Sequence, residues 1–130
     1  MKKIIAPEKV AKPRGNYSHG VLVMPRRLLF IAGQTAMDAT GELVGLGDPY
    51  AQASQVYENM AAVLAEAGGS FADIVKITTF ITDIAYREKV NEARRQYFKK
   101  DFPASTLVVV KGLAQAEFLV EVEAIASFET

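Results

Sequence analysis

Apolar residues recur along this chain with two different periods. Val56, Met60, Val63, Leu64 and Ala67 fall at i, i+4, i+7, i+8 and i+11, one apolar stripe on a helix. Asp48–Pro49 predicts where that helix starts, because Asp can accept the first free backbone N–H groups and Pro loses nothing at the first helical position. Gly68–Gly69 predicts where it ends. A second helix is predicted after Asp83. Tyr86, Val90, Ala93 and Tyr97 repeat the spacing, Arg87, Arg94 and Arg95 fall mostly outside that stripe, and Asp101–Phe102–Pro103 stops it.

The second period is two. Ile74–Asp83 alternates, with Val75, Ile77, Thr79 and Ile81 on one side and Lys76, Thr78 and Thr82 on the other with Ile74 and Phe80. Thr106–Lys111 is expected as a buried strand. Glu117–Phe128 is expected as a long one, presenting Phe118, Val120, Val122, Ala124 and Ala126 on one face and Glu117, Leu119, Glu121, Glu123 and Ile125 on the other. The first twenty residues, broken by Pro7, Pro13, Gly15 and Gly20, predict an extended arm with turns. Val21–Met24 and Leu28–Ala32 around Pro25–Arg26–Arg27 predict a hairpin. The turn-rich stretch from Gln34 to Gly47 predicts only a short pairing around Leu43–Val44. The order is β-β-α-β-α-β-β in one domain, residues 1–130. It is an α+β pattern, two helices packed on one face of a mixed β-sheet. The other face carries Ile and Leu beside Lys and Glu with no helix left to cover it, so it is expected to meet further copies of the chain.

Composition narrows the function classes. Of 130 residues, half are apolar and 23% charged, a globular balance. Lys plus Arg and Asp plus Glu are 15 each, so no net field draws the chain to nucleic acid or an anionic membrane. There is no cysteine, which removes thiolate nucleophiles and Cys-ligated metals. The N-terminal segment has too short an apolar run for a signal peptide, and the default expectation is the cytoplasm.

Standard catalytic signatures are missing. Gly41–Gly47 is glycine-rich but does not join a strand to a helix as a phosphate loop would, and it is read as a plain loop. His19 is the only histidine, so neither a metal site nor a cofactor is expected, and the residue is read as a turn position. Glu121 and Glu123 project from one strand face among Leu119 and Ile125. A carboxylate held among apolar groups can serve as a general acid or base, although an ordinary polar strand face has the same pattern.

The sequence resembles the RidA family, also called YjgF or the liver perchloric-acid-soluble proteins, from Gly15 to Ala126. The matching segments are Gly15–Asn16–Tyr17–Ser18; Ala32–Gly33–Gln34 followed by Asp38 and Gly41; and Gln55, Glu58, Asn59, Val63–Leu64 and Ala67–Gly68. Further along come Asp73–Thr78, Val90–Asn91 with Tyr97–Phe98, Phe102–Pro103–Ala104, and Glu121–Ala126. No single segment is specific; their order and spacing are. The resemblance implies a chorismate-mutase-like fold and a homotrimer, the sheets forming a central barrel with helices outside and small-molecule sites between subunits. It implies hydrolysis of reactive enamines and imines to a keto acid and ammonia.

Carried over by position, the resemblance makes Glu121 the residue that positions the attacking water and has Tyr17 and Asn91 line the cleft. Ser105, Gly33, Ala32 and Arg14 become candidate substrate-binding residues. The family's clamp arginine, which follows the Pro-Ala pair and grips the substrate carboxylate, is replaced by Ser105; the Ser of its Ser-Gly-Gln is Ala32, and the Pro of its Gly-Pro-Tyr is Asn16. Turnover of 2-aminoacrylate is therefore expected to be weak, and Ser105→Arg to raise it. Arg14 is the nearest substitute cation by sequence, and equally a solvated arm residue. The expected function is a hydrolase or deaminase of a small enamine, imine or related carbonyl compound, with no nucleic-acid or membrane partner. The alternative is a ligand-binding or protein-interacting trimer without turnover. Ribonuclease activity is disfavoured by the absent basic excess and the single histidine.

Overall fold

In the computed structural model, which describes residues 2–130, two helices lie on one face of a four-stranded mixed sheet. The strands are β1 (Lys2–Ile5), β2 (Gly20–Val23), β3 (Arg27–Gln34), β4 (Ile74–Ile81), β5 (Ala104–Val109) and β6 (Val120–Phe128); the helices are α1 (Pro49–Glu66) and α2 (Arg87–Arg94). The sheet order is β3-β6-β4-β5, and β1-β2 form a separate antiparallel pair. Only β4 and β5 run parallel, which requires a crossover, and α2 supplies it.

α1 begins and ends where the sequence places it. The Asp48 carboxylate accepts from the Ala51 N–H at 3.1 Å, and Gly68 adopts a φ of +83° just past the last turn, a left-handed conformation glycine enters without a Cβ clash. Its buried face is Gln52, Ala53, Val56, Tyr57, Met60 and Leu64, turned slightly from the expected stripe, with Val63 at its edge. These residues pack on Ile31 of β3, Ile77 and Ile81 of β4, and Val120, Val122, Ala124 and Ala126 of β6. The Gln52 amide is fully enclosed but satisfied. Its Nε2 donates to Gly45 O (3.1 Å) and Glu117 O (2.9 Å), and its Oε1 accepts from the Leu119 N–H (2.9 Å), so one side chain ties the glycine-rich loop and the entry to β6 onto the helix.

Several sequence expectations are corrected. The hairpin between Val21–Met24 and Leu28–Ala32 does not form. β2 pairs with β1, inside the segment expected to be an irregular arm, while β3 pairs with β6. Pro25 has no N–H to continue a ladder, and the Arg26 N–H is already taken by Phe128 O. In β4 the register shifts between Ile74 and Lys76. This bulge turns Ile74 into the core with Ile77 and Ile81, against strict alternation. The second helix is preceded by a turn of 3-10 helix over Ile84–Tyr86 and ends at Arg94, well before Asp101. β5 is an edge strand starting at Ala104, and Val108 and Val109 are exposed rather than buried. β6 starts at Val120, three residues later than expected. The short pairing near Leu43 is present, as a bridge to Met37.

The face away from the helices is open. Leu28 and Phe30 of β3 are 48% and 70% exposed, and Val108 of β5 is 37% exposed. Glu121 lies opposite Phe80, and Glu123 opposite Thr78, on that same face. Among the described residues no helix is long and apolar enough to cross a membrane.

Candidate active site

The chain bends through residues 14–16, where the Tyr17 N–H donates to Gly15 O at 3.0 Å, before it is stapled to the start of β5. The Ser18 N–H donates to Pro103 O at 3.0 Å, its hydroxyl donates to Phe102 O, and Ser18 bridges Ala104 in parallel. This places Tyr17 at the mouth of a cleft between the arm, α2 and the β5 edge. The cleft has a volume of about 520 Å³, in the range of small-ligand sites, and Arg14, Tyr17, Asn91, Arg94 and Ser105 are among its lining residues. Four sequence-derived candidates, Tyr17, Asn91, Ser105 and Arg14, are thus brought together.

The floor of this cleft is built by a residue the sequence pattern put aside. Arg94, the last residue of α2, is only 8% exposed. Its Nη1 donates to Ser105 Oγ at 2.9 Å, its Nη2 donates to Asn16 O at 3.1 Å, and its guanidinium lies over the Phe98 ring at 5.3 Å. Nε–H is enclosed without an acceptor. Burial pushes the guanidinium's pKa below its usual value, and the opposing influence comes from the Tyr57 phenol. The signal for Arg94 was present in the spacing: it stands four residues after Val90, at the edge of the buried stripe.

Glu121, Gly33 and Ala32 lie elsewhere. Ser105 bonds to a helix residue and so faces the helices, whereas Glu121 projects from β6 between Val120 and Val122, both fully buried, onto the open face. There the Glu121 carboxylate folds over Gly33. A Cβ on Gly33 would come within 2.1 Å of Glu121 Oε2, so the glycine makes the space the carboxylate occupies. Ala32 is exposed beside it. The segment after Gly33 is fixed by Asn59 of α1, whose amide donates to Thr35 O (3.0 Å) and Met37 O (2.9 Å). Glu123, on the same strand face, is exposed. His19 has a ring nitrogen against Ala11 O and packs edge-on to Tyr17, a turn role. Gly41, Gly45 and Gly47 all take positive φ in a loop, and no helix N-terminus follows a strand there.

The candidate residues therefore divide between two places on opposite faces of the sheet. One is a concave cationic cleft holding Tyr17, Asn91 and Ser105. The other is a carboxylate, Glu121, standing on the uncovered face.

The whole-chain comparisons agree with this architecture. The family described as Endoribonuclease L-PSP matches residues 8–128. The chain is 41% identical over 126 residues to a RutC family protein of Pyrococcus abyssi, covering 96% of each. It is 37% identical over 127 residues to the human 2-iminobutanoate/2-iminopropanoate deaminase, covering 97% of this chain and 90% of that protein. Among solved structures, a conserved Rid family protein of unknown function from Yersinia pestis superposes with a TM-score of 0.89 at 36% identity, covering 98% of both chains. RidA from an Antarctic Psychrobacter superposes with a TM-score of 0.72 at 34% identity, covering 97% of this chain and 99% of that one. Sheet order, cleft and sequence match converge, and the chain belongs to the Endoribonuclease L-PSP family, the Rid proteins.

Proposed function

We propose that the protein hydrolyses the C=N bond of a small imine, or of the enamine that tautomerises to it, releasing ammonia and a carbonyl compound. The observation that carries this is Glu121, a carboxylate held over Gly33 on the open face, in a chain alike over 97% of its length to a named imine deaminase. Glu121 takes a proton from a water molecule as the water oxygen bonds to the imine carbon, and the C=N π pair moves to nitrogen. Glu121 passes that proton to the nitrogen to give the carbinolamine, then carries the hydroxyl proton to the same nitrogen as the C–N bond breaks and the carbonyl forms. Ammonia leaves. Tyr17 and Asn91 orient the substrate in the cleft, and no metal or cofactor enters the scheme.

Because the cleft and Glu121 sit on opposite faces of one sheet, a working site needs the cleft of one copy beside Glu121 of the next. A homotrimer with the open faces turned inward meets that need, and covers Leu28, Phe30 and Val108.

The test is ammonia release from 2-imino acids generated in situ by an amino-acid oxidase, measured against spontaneous hydrolysis. The wild-type protein is expected to accelerate release, and Glu121→Gln, which keeps the size of the side chain but removes the base, to lower kcat by roughly 10²–10⁴. Wild-type rates no faster than buffer across a panel of aliphatic and aromatic imines would support the alternative, a trimer that binds without turnover.

A further inference from the structure

Among the described residues, the cleft contains a buried cation with no anionic partner. A guanidinium taken out of water is normally matched by a carboxylate or by a full set of acceptors. Arg94 is more than nine-tenths buried, yet Ser105 Oγ and Asn16 O, both neutral, are the acceptors it reaches, and its Nε–H has none. Its neighbours do not compensate. The cleft lining also includes Arg14, Arg87 and Arg95, against the single carboxylate of Glu88. Four guanidiniums facing one carboxylate leave a local excess of positive charge in a chain whose overall balance is zero.

The arrangement of the guanidinium is equally specific. One N–H of Nη1 and one of Nη2 are used to hold the head group between β5 and the arm, and the Phe98 ring supports its face. Each terminal nitrogen retains a second N–H. A guanidinium N–H that is not already bonded is a donor suited to a carboxylate oxygen. The residue is thus held in place by two bonds and still has N–H donors to spare.

We propose that Arg94 is the residue that grips the carboxylate of the ligand in this cleft, the positive charge being delivered from the end of α2 and seated on Ser105. Ser105 then acts as the acceptor that aims the arginine, and Arg14 belongs to the exposed rim. The ligand class is a small organic acid bearing a carbonyl or imine carbon. This deepens the proposed function but does not depend on turnover, because carboxylate binding is measured without chemistry.

The experiment is calorimetric titration of the intact wild-type protein, Arg94→Gln, Arg94→Lys and Arg14→Gln with 2-oxobutanoate, with thermal melting of each variant alone. Wild type is expected to bind. Loss of a charge-assisted pair is expected to weaken binding by about 10- to 100-fold in Arg94→Gln. Arg94→Lys, which keeps the charge on a single nitrogen, is expected to weaken it by several-fold, and Arg14→Gln, which removes one rim charge, to weaken it less than either Arg94 variant. Where Arg94→Gln fails to fold, the Arg94→Lys arm decides alone. Equal affinity in wild type and the Arg94 variants, no binding by wild type at 10 mM ligand, or a loss confined to Arg14→Gln would each overturn the proposal. Arg94-dependent binding in a protein that hydrolyses no imine would retain this inference and remove the proposed function.

Discussion

Tyr57 and Arg94 show how much a single buried polar atom can decide. The Tyr57 hydroxyl is enclosed by the α1–α2 interface without a hydrogen-bond partner, and burial pushes its pKa up to about 12. In the unfolded chain the phenol ionises near 10. The folded state therefore holds its proton longer, and stability falls as pH rises from about 10 to 12, where the unfolded chain alone has lost the proton. Tyr57→Phe is expected to flatten that alkaline loss, followed by melting between pH 8 and 11. At neutral pH it is expected to leave stability unchanged or raise it by about 1 kcal/mol, since an unpaired hydroxyl is removed from the core. A loss of more than 2 kcal/mol at pH 7 would show that the hydroxyl has a partner in solution.

Ser105 gives the second residue-scale test. The sequence leads to the expectation that Ser105→Arg restores a missing clamp. The 2.9 Å bond between Ser105 Oγ and Arg94 changes that expectation, because a new guanidinium at 105 would meet the existing one. Two unit charges at 4 Å repel by about 1–4 kcal/mol between bulk water and a protein surface. Ser105→Arg alone is expected to lower the melting temperature and gain no imine turnover, while Ser105→Arg with Arg94→Gln recovers the stability. A single variant as stable as wild type with raised turnover would return the clamp role to position 105.

At the scale of elements, β3 and β6 form the pair on which Glu121 depends. Gly33→Ala places a methyl where Glu121 Oε2 lies, and the flexible carboxylate end moves rather than the backbone. The variant is expected to melt within a few degrees of wild type while imine hydrolysis falls at least tenfold, read by parallel melting and ammonia release. Unchanged hydrolysis would mean that the position of the carboxylate over Gly33 is not used.

Elements whose signals are local were legible in the sequence. α1 was marked by Asp48–Pro49 and Gly68, and the alternating core face of β6 by Val120, Val122, Ala124 and Ala126. What was misread depended on partners distant in sequence. β1 contains only four residues and is a strand because Gly20–Val23 lies beside it. The bulge that turns Ile74 inward is set by pairing with β6. Arg94 was placed outside the apolar stripe because helical spacing describes one element, whereas its hydrogen-bond partners, Asn16 of the arm and Ser105 of β5, arrive from others. The candidate site divided the same way. Tyr17, Asn91 and Glu121 were proposed through family resemblance, while the guanidinium beside Tyr17 and Asn91 became visible only in three dimensions.

For the whole molecule, the central observation is that the cleft and Glu121 are separated by the thickness of a sheet. Glu121 stands on the face with exposed Phe30, and Tyr17 and Asn91 line a cleft at the opposite side of the β5 edge. The most direct measurement is subunit complementation. Two inactive proteins, Glu121→Gln and the cleft variant Tyr17→Phe/Asn91→Ala, are refolded together in equal amounts and assayed for imine hydrolysis. If each site joins the cleft of one copy to Glu121 of a neighbour, random assembly regenerates about a quarter of the wild-type sites, because an intact cleft must meet an intact carboxylate. The mixture is expected to recover about that share of wild-type activity. A mixture no more active than its two parents, with mixed assemblies confirmed by mass, would contradict the shared site.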